Sequence, residues 1–459
     1  MEKEIKEGLV REGYEVKGRS YREIEGEPLL LLRKGEEKKI LLGQRLKGKK
    51  QGKKWKNWFI LPFSFSLYKQ LQKKLPFLTP HPFPYKSSFG FGDRLGISTS
   101  AQIASFEGMD IFPVLAQQSF RELERMGRSL EEVLASAGWG VLEEGFQGRW
   151  GADADHIKTM EQVKEAIKTG FSIFTLDLSP YLNPRDEPPL VWKKIKGDFL
   201  GKEYNFSDFK VSLGEKILES IIRTYWKGLD FVVKVFHFLR SRLPAFSIEI
   251  SLDETGIPTE PEAHFFLVSY LRNRGVDISG LAICFPGRFE KGVDYKGDKR
   301  EFAEYFRRHS LLARSLDGYR LSVHSGSDKF SLYPLMKPWA PFHVKTSGTT
   351  WLEAIFTLGE VNFPLFVEIF NLARKVYLEE SRSYSVSASP ERIPSLKEME
   401  KKFKEISRNS DLRQILHVTY GPVWKSFRKD ILATLNQCQD IFRERISRHL
   451  RRHLEFLYG

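Results

Sequence analysis

The chain has 459 residues, 41% of them hydrophobic and 13% aromatic, with a formal charge of +14 and a pI near 9.4. This apolar share excludes a disordered chain, and the length calls for one large barrel with appended segments or for two to three domains. No apolar run reaches the about eighteen residues of a membrane span, and no apolar segment follows the charged start Met1-Glu2-Lys3-Glu4. Cys284 and Cys438 stand far apart, against a disulfide framework or a zinc ribbon, so a reducing cytoplasm is the expected setting.

In chain order, Leu29-Leu30-Leu31-Leu32 and Lys39-Ile40-Leu41-Leu42 read as short strands around a hairpin turn at Lys34-Gly35-Glu36-Glu37. The basic block at residues 45–56 reads as a solvated loop rather than a nucleic-acid contact, because no binding module frames it. A Pro- and aromatic-rich stretch at 77–85 closes a small β-containing region, 1–85. From Gly90 onward, apolar runs alternate with helical patterns, as in a parallel sheet of βα units. The strand candidates are 95–98, 150–158, 173–178, 246–254, 281–285, 319–324 and 342–345; helical patterns fill 129–144, 160–169, 213–241, 260–274, 299–315 and 349–358. Seven strands with one missing predict an α/β fold, a (β/α)8 TIM-like barrel over 86–382 whose eighth strand is short or irregular. An open doubly wound sheet is the competitor, but no strand-turn-helix carries GxGxxG. The remainder, 383–459, reads as a C-terminal helical cap. Its amphipathic basic end, 441–457, is expected to face the core or another subunit rather than a membrane.

Working residues of a barrel sit at the C-terminal ends of its strands. Candidates there are Asp155 and Lys158 after the second strand, Asp177 after the third, and Glu249, Ser251 and Asp253 on one face of the fourth. Carboxylates turned into a barrel need a cation, metal or lysine, beside them. His324 and His343 would stand on neighbouring strands, and two imidazoles with a carboxylate form the ligand set of a catalytic divalent ion. Each histidine alone would more often be a hydrogen-bonding group than a ligand. Lys158 and Lys345 remain open between binding a substrate carboxylate, forming a Schiff base, and pairing with a neighbouring Asp.

Ser88–Gly96 (SFGFGDRLG), Ala116-Gln117-Gln118-Ser119, Gly138-Trp139-Gly140, Trp150–His156 (WGADADH), Gly287–Tyr295 (GRFEKGVDY) and His324–Lys329 (HSGSDK) together resemble the tagaturonate epimerase family over roughly residues 86–360. That family comprises barrel isomerases of sugar-acid breakdown, and engineered relatives act as tagatose 4-epimerases. The resemblance implies interconversion of D-tagaturonate and D-fructuronate, with tagatose and fructose as neutral counterparts. The inverted C4 is not α to the C2 ketone, so enolisation cannot reach it. A retro-aldol across C3–C4 is favoured over transient oxidation, since no dinucleotide fingerprint exists. A divalent ion (Zn, Ni, Mn or Co) would then stabilise the enediolate. On this reading Asp253, His324 and His343 bind the metal, and Asp155, Asp177 and Glu254 move protons. Arg94, Gln118, Lys158, Lys329 and Lys345 bind substrate, Arg94 alone being able to hold its carboxylate bidentately. The expected partner is a small sugar acid or ketose, with no nucleic acid or membrane; a homo-oligomer is allowed. The alternatives are a barrel aldolase or ketose isomerase using the same groups for cleavage, and a basic nucleic-acid-associated protein.

Overall fold

The computed structural model describes every residue except Glu36, Pro184, Asp186 and Asp317. Its first layer follows from the leucine run. Strands Glu15–Val16, Arg22–Ile24, Glu27–Lys34, Glu37–Leu42, Lys53–Trp55 and Trp58–Pro62 form one antiparallel sheet. The hairpin is formed, with Lys34 opposite Glu37, though Glu36 of its turn lies outside the described residues. Leu29 and Leu31 join the main core, while Leu30 and Leu32 pack with Ile5 and Leu9 of helix Glu2–Arg11 on the other face. A sheet covered on both sides needs no polar alternation.

The barrel is closed and wholly parallel. We number its strands β1 (Ser88–Phe91), β2 (Phe112–Ser119), β3 (Gly151–Ile157), β4 (Ile173–Asp177), β5 (Ser247–Ser251), β6 (Gly280–Ala282), β7 (Arg320–Val323) and β8 (Phe342–Thr346). They follow one another around the ring in chain order, and β8 closes on β1. Two expectations need correction. Residues 95–98 are a loop, because the Asp93 carboxylate accepts the backbone N–H groups of Leu95, Gly96 and Ser98 at 3.0, 2.9 and 2.7 Å. Two strands are thus absent from the sequence reading, β1 and β2; β2 is not short but eight residues long and buried throughout, and it carries a register shift against β3 between Val114 and Ala116. Pro113 and the lack of alternation hide it from a period-two search.

The predicted helices appear at Leu130–Glu144, Met160–Thr169, Glu215–Arg240, Pro261–Asn273, Lys299–Ser315 and Thr349–Val361. The last helix, Gln439–Tyr458, buries Phe442, Ile446, Leu450, Leu454 and Leu457, a four- and three-residue spacing that turns its apolar stripe inward. Its basic residues are largely paired within the chain: Arg443 with Glu144, Arg445 with Glu353 and Glu360. Among the described residues, no helix is long and apolar enough to cross a membrane.

Candidate active site

Lys345 organises the C-terminal mouth of the barrel. It points inward from β8, and its Nζ lies 2.8 Å from each of Asp153 Oδ2, Asp155 Oδ1 and Glu249 Oε1, and 2.7 Å from Thr175 Oγ1. Burial opposes the ammonium, but three carboxylates outweigh it and hold the pKa well above the usual lysine range. A lysine so held is a fixed cation, which speaks against the Schiff-base reading. Burial, meanwhile, pushes Asp153 up to about 6. Two glycines make room for this layer. A Cβ at Gly280 on β6 would sit 2.7 Å from Glu249 Oε2, and one at Gly90 on β1 would overlap Gln117 Oε1.

Above Lys345 two imidazoles approach each other, His156 and His324, with ring centroids 5.1 Å apart. His324 Nε2 donates to Glu249 Oε1 at 2.7 Å; its Nδ1 lies 3.1 Å from Asp253 Oδ1, out of line for a hydrogen bond. Burial and Lys345 lower His324, but Asp253 and Glu249 prevail and raise it to about 10. His156 donates from Nδ1 to Asp177 at 3.1 Å, which leaves Nε2 on the side of Asp155, 3.9 Å from Oδ1. Against the upward push of burial, that hydrogen bond holds Asp177 below the ordinary carboxylate range. Asp155, His156 and His324 each bring one ligand atom within 4.8 Å of the others. Each histidine thus has one nitrogen hydrogen-bonded to a carboxylate, the usual outer-shell arrangement of metal-binding imidazoles, while the second lies on the side of Asp155 in His156 and beside Asp253 in His324.

The structure separates the rest of the predicted set. His343 is apart from these groups. It is the second residue of β8, level with Ser322, whereas His324 follows β7, so it lies two residues deeper, about 6–7 Å along the strand. There it shares a 2.9 Å hydrogen bond with Ser88 Oγ, meets the Phe83 ring, and is pushed by burial down to about 3. Gln118 also faces away: its Oε1 accepts from Arg128 at 3.1 Å, and it is the adjacent Gln117 that lines the cleft. Arg94 lines the cleft but sets Nε and Nη2 on Glu122 at 2.8 and 2.7 Å, so its fork is engaged. Lys158 pairs with Asp177 at 3.1 Å and stands 3.9 Å from Glu254, which Arg121 also holds at 2.9 Å. Lys329 donates to the carbonyls of Glu290, Val293 and Ser327 at 2.9, 2.6 and 3.0 Å and thereby joins the loops after β6 and β7.

The deep part of the cleft measures about 60 Å³ and opens into a wider region of about 670 Å³ that shares Arg121, Asp253, Glu254, Lys291, His324, Ser325 and Tyr384. Asp153, His156, Gln117 and Lys291 belong to the site and were not singled out from sequence. His156 follows Asp155, and in a regular strand only one of the two would face inward. The register shifts between Phe174 and Leu176, and His156 adopts φ +53°, so this bulge turns both side chains toward the cleft. The Trp150–His156 motif was visible, but the bulge was not.

Comparison with known proteins gives one consistent picture. The family model described as tagaturonate epimerase matches residues 17–457. A tagaturonate/fructuronate epimerase of Thermotoga maritima is 37% identical, over 97% of this chain and 98% of that one. The native crystal structure of fructuronate-tagaturonate epimerase from Cohnella laeviribosi superposes with a TM-score of 0.93 at 30% identity, covering 99% of this chain and 98% of that one. A glycerol complex of the same enzyme gives a TM-score of 0.93 at 29% identity, with 99% of both chains covered.

Proposed function

The chain belongs to the tagaturonate epimerase family and is an epimerase, and from that premise we propose that it interconverts D-tagaturonate and D-fructuronate by cleaving and re-forming the C3–C4 bond with a divalent ion. The observation that carries this reading is the pair of carboxylate-oriented imidazoles, His156 on Asp177 and His324 on Glu249, opening toward Asp155. This donor set, two nitrogens and one oxygen, suits a first-row divalent ion such as Zn, Ni, Mn or Co. Asp155, His156 and His324 would hold it, with Asp253 beside His324 in place of the expected His343. When bound, such an ion would supply electrostatic stabilisation to the enediolate that a retro-aldol leaves on C2 and C3.

The protein's own groups supply the rest. Glu254, part-exposed between Arg121 and Lys158, takes the proton of the C4 hydroxyl as the bond breaks and returns it after the aldehyde has rotated. Asp177 fixes the tautomer and orientation of His156. Lys345 keeps Asp153, Asp155 and Glu249 charged and in place without leaving its ammonium free for covalent chemistry. Enclosure in the narrow inner cleft retains the aldehyde fragment until the bond re-forms. The test is proton NMR of D-tagaturonate incubated with metal-stripped protein, before and after adding Mn²⁺, Ni²⁺, Co²⁺ or Zn²⁺. Fructuronate appearing only after metal addition is expected. Accumulating three-carbon fragments would identify an aldolase instead, and turnover indifferent to metal would remove the ion from the mechanism.

A further inference from the structure

Of the cations in and around the cleft, four already face carboxylates: Arg94 faces Glu122, Arg121 faces Glu254, Lys158 faces Asp177, and Lys345 faces three acids. Lys329 gives its ammonium hydrogens to three backbone carbonyls. Lys291, in the loop after β6, is different. Its ammonium has three donors, yet among the described residues it makes one side-chain hydrogen bond, to Ser325 Oγ at 2.6 Å, and no ion pair within 4.0 Å. It lines both the inner cleft and its wider mouth, with Arg121 beside it. Burial first, and then Arg121, lowers its pKa from the ordinary 10.5 against the weaker opposing pull of Asp253, Glu254 and Glu122, and an incoming anion would relieve that condition. A second group points the same way: His417 lines the cleft at 2% exposure, and its Nδ1 has no hydrogen-bond partner.

We infer that Lys291, assisted by Arg121 and Ser325, holds the substrate's carboxylate and is the residue that selects a sugar acid over a neutral ketose. The inference rests on the epimerase reading of this cleft and names the end of the substrate remote from Asp155, His156 and His324. An ammonium with two unused donors gains most from an anion, while a neutral hydroxymethyl group would leave those donors without a charged acceptor.

The test compares wild type, Lys291→Met, Lys291→Gln and Lys291→Arg on D-tagaturonate and on neutral D-tagatose, with calorimetric binding of both sugars alongside. Met and Gln should lower the tagaturonate-to-tagatose ratio of kcat/KM on the order of 100-fold, mainly through KM, as loss of a charge-assisted hydrogen bond implies, and Arg should restore part of it. Equal losses on both sugars, or an unchanged ratio, would overturn the assignment. Should wild type bind D-tagaturonate through Lys291 and form no fructuronate, the epimerase reading would fall while the carboxylate site stood.

Discussion

Among the described residues, two clusters each bring two histidines and an aspartate within 4.8 Å: Asp155, His156 and His324 in the cleft, and Asp328 with His449 and His453 of the last helix. In composition they are the same; in hydrogen bonding they differ at one histidine and at the aspartate. His453 accepts the backbone N–H of Asp328 at Nε2 (2.9 Å) and shares a 2.9 Å bond with the His449 carbonyl at Nδ1, so neither nitrogen is available. Asp328 is held on both oxygens, by His449 at 2.8 Å and Arg413 at 3.0 Å. The second cluster is therefore a clasp that fastens the loop after β7 to helix Gln439–Tyr458. In the cleft, each imidazole keeps one nitrogen off its carboxylate. Which nitrogens remain free, rather than which residues are near, separates a ligand set from a structural joint.

The largest effect is expected at Lys345. Replacing it with Met leaves Asp153, Asp155 and Glu249 buried without their cation, which should cost about 5 kcal/mol of stability, at the upper end for a broken buried pair, and abolish turnover. Guanidinium unfolding of the variant measures this. A loss under about 1 kcal/mol would mean that the carboxylates are neutralised some other way. Next come His156→Gln and His324→Gln. Each should lower kcat on the order of 1,000-fold, about 4 kcal/mol in the barrier, together with the amount of bound divalent ion measured by elemental analysis. Full metal content and near-normal kcat in both variants would dissolve the contrast between the clusters.

Much of this arrangement was readable beforehand, and the failures have local causes. The helices followed from their helical patterning: Lys299–Ser315 agrees with the reading at both ends, and the structure adds that Asp298 accepts the backbone N–H groups of Arg300 and Glu301 at its start. Glu249 and its need for a cation followed from period-two geometry on β5. His343 misled because it was placed at the end of its strand, when it stands near the beginning and points into the lower barrel. His156 was passed over because a bulge overrides alternation at the end of β3. Lys291 was beyond reach in another way: whether a loop lysine meets an acid, a carbonyl or open space depends on which loops close over it, and spacing carries no record of that.

The smallest effect belongs to the clasp, and it has a pH signature. His449 lies 2.8 Å from Asp328 Oδ1 and 3.6 Å from Glu353 Oε1, with Arg413 of helix Ser410–Val418 holding Asp328 and Arg445 of its own helix holding Glu353. Burial lowers its pKa, but Glu353 and then Asp328 prevail and raise it above 6.5. A histidine whose folded pKa is raised contributes stability that is fully present below its unfolded value and is lost as pH climbs through the folded one. His449→Gln should therefore cost about 1–2 kcal/mol near pH 6, with the gap to wild type narrowing toward pH 9. Asp328 works in the other direction. Arg413 and His449 outweigh burial and depress its carboxyl, so its contribution persists above the ordinary carboxylate range and fades only in acid, outside this window. Turnover per folded molecule should stay near wild type at both pH values, because His449 touches neither the cleft nor its ligand set. Urea titrations at pH 6 and pH 9 read the stability gap, and a gap that is equal at both would show that the clasp is held by packing and neutral hydrogen bonds rather than by a charged histidine.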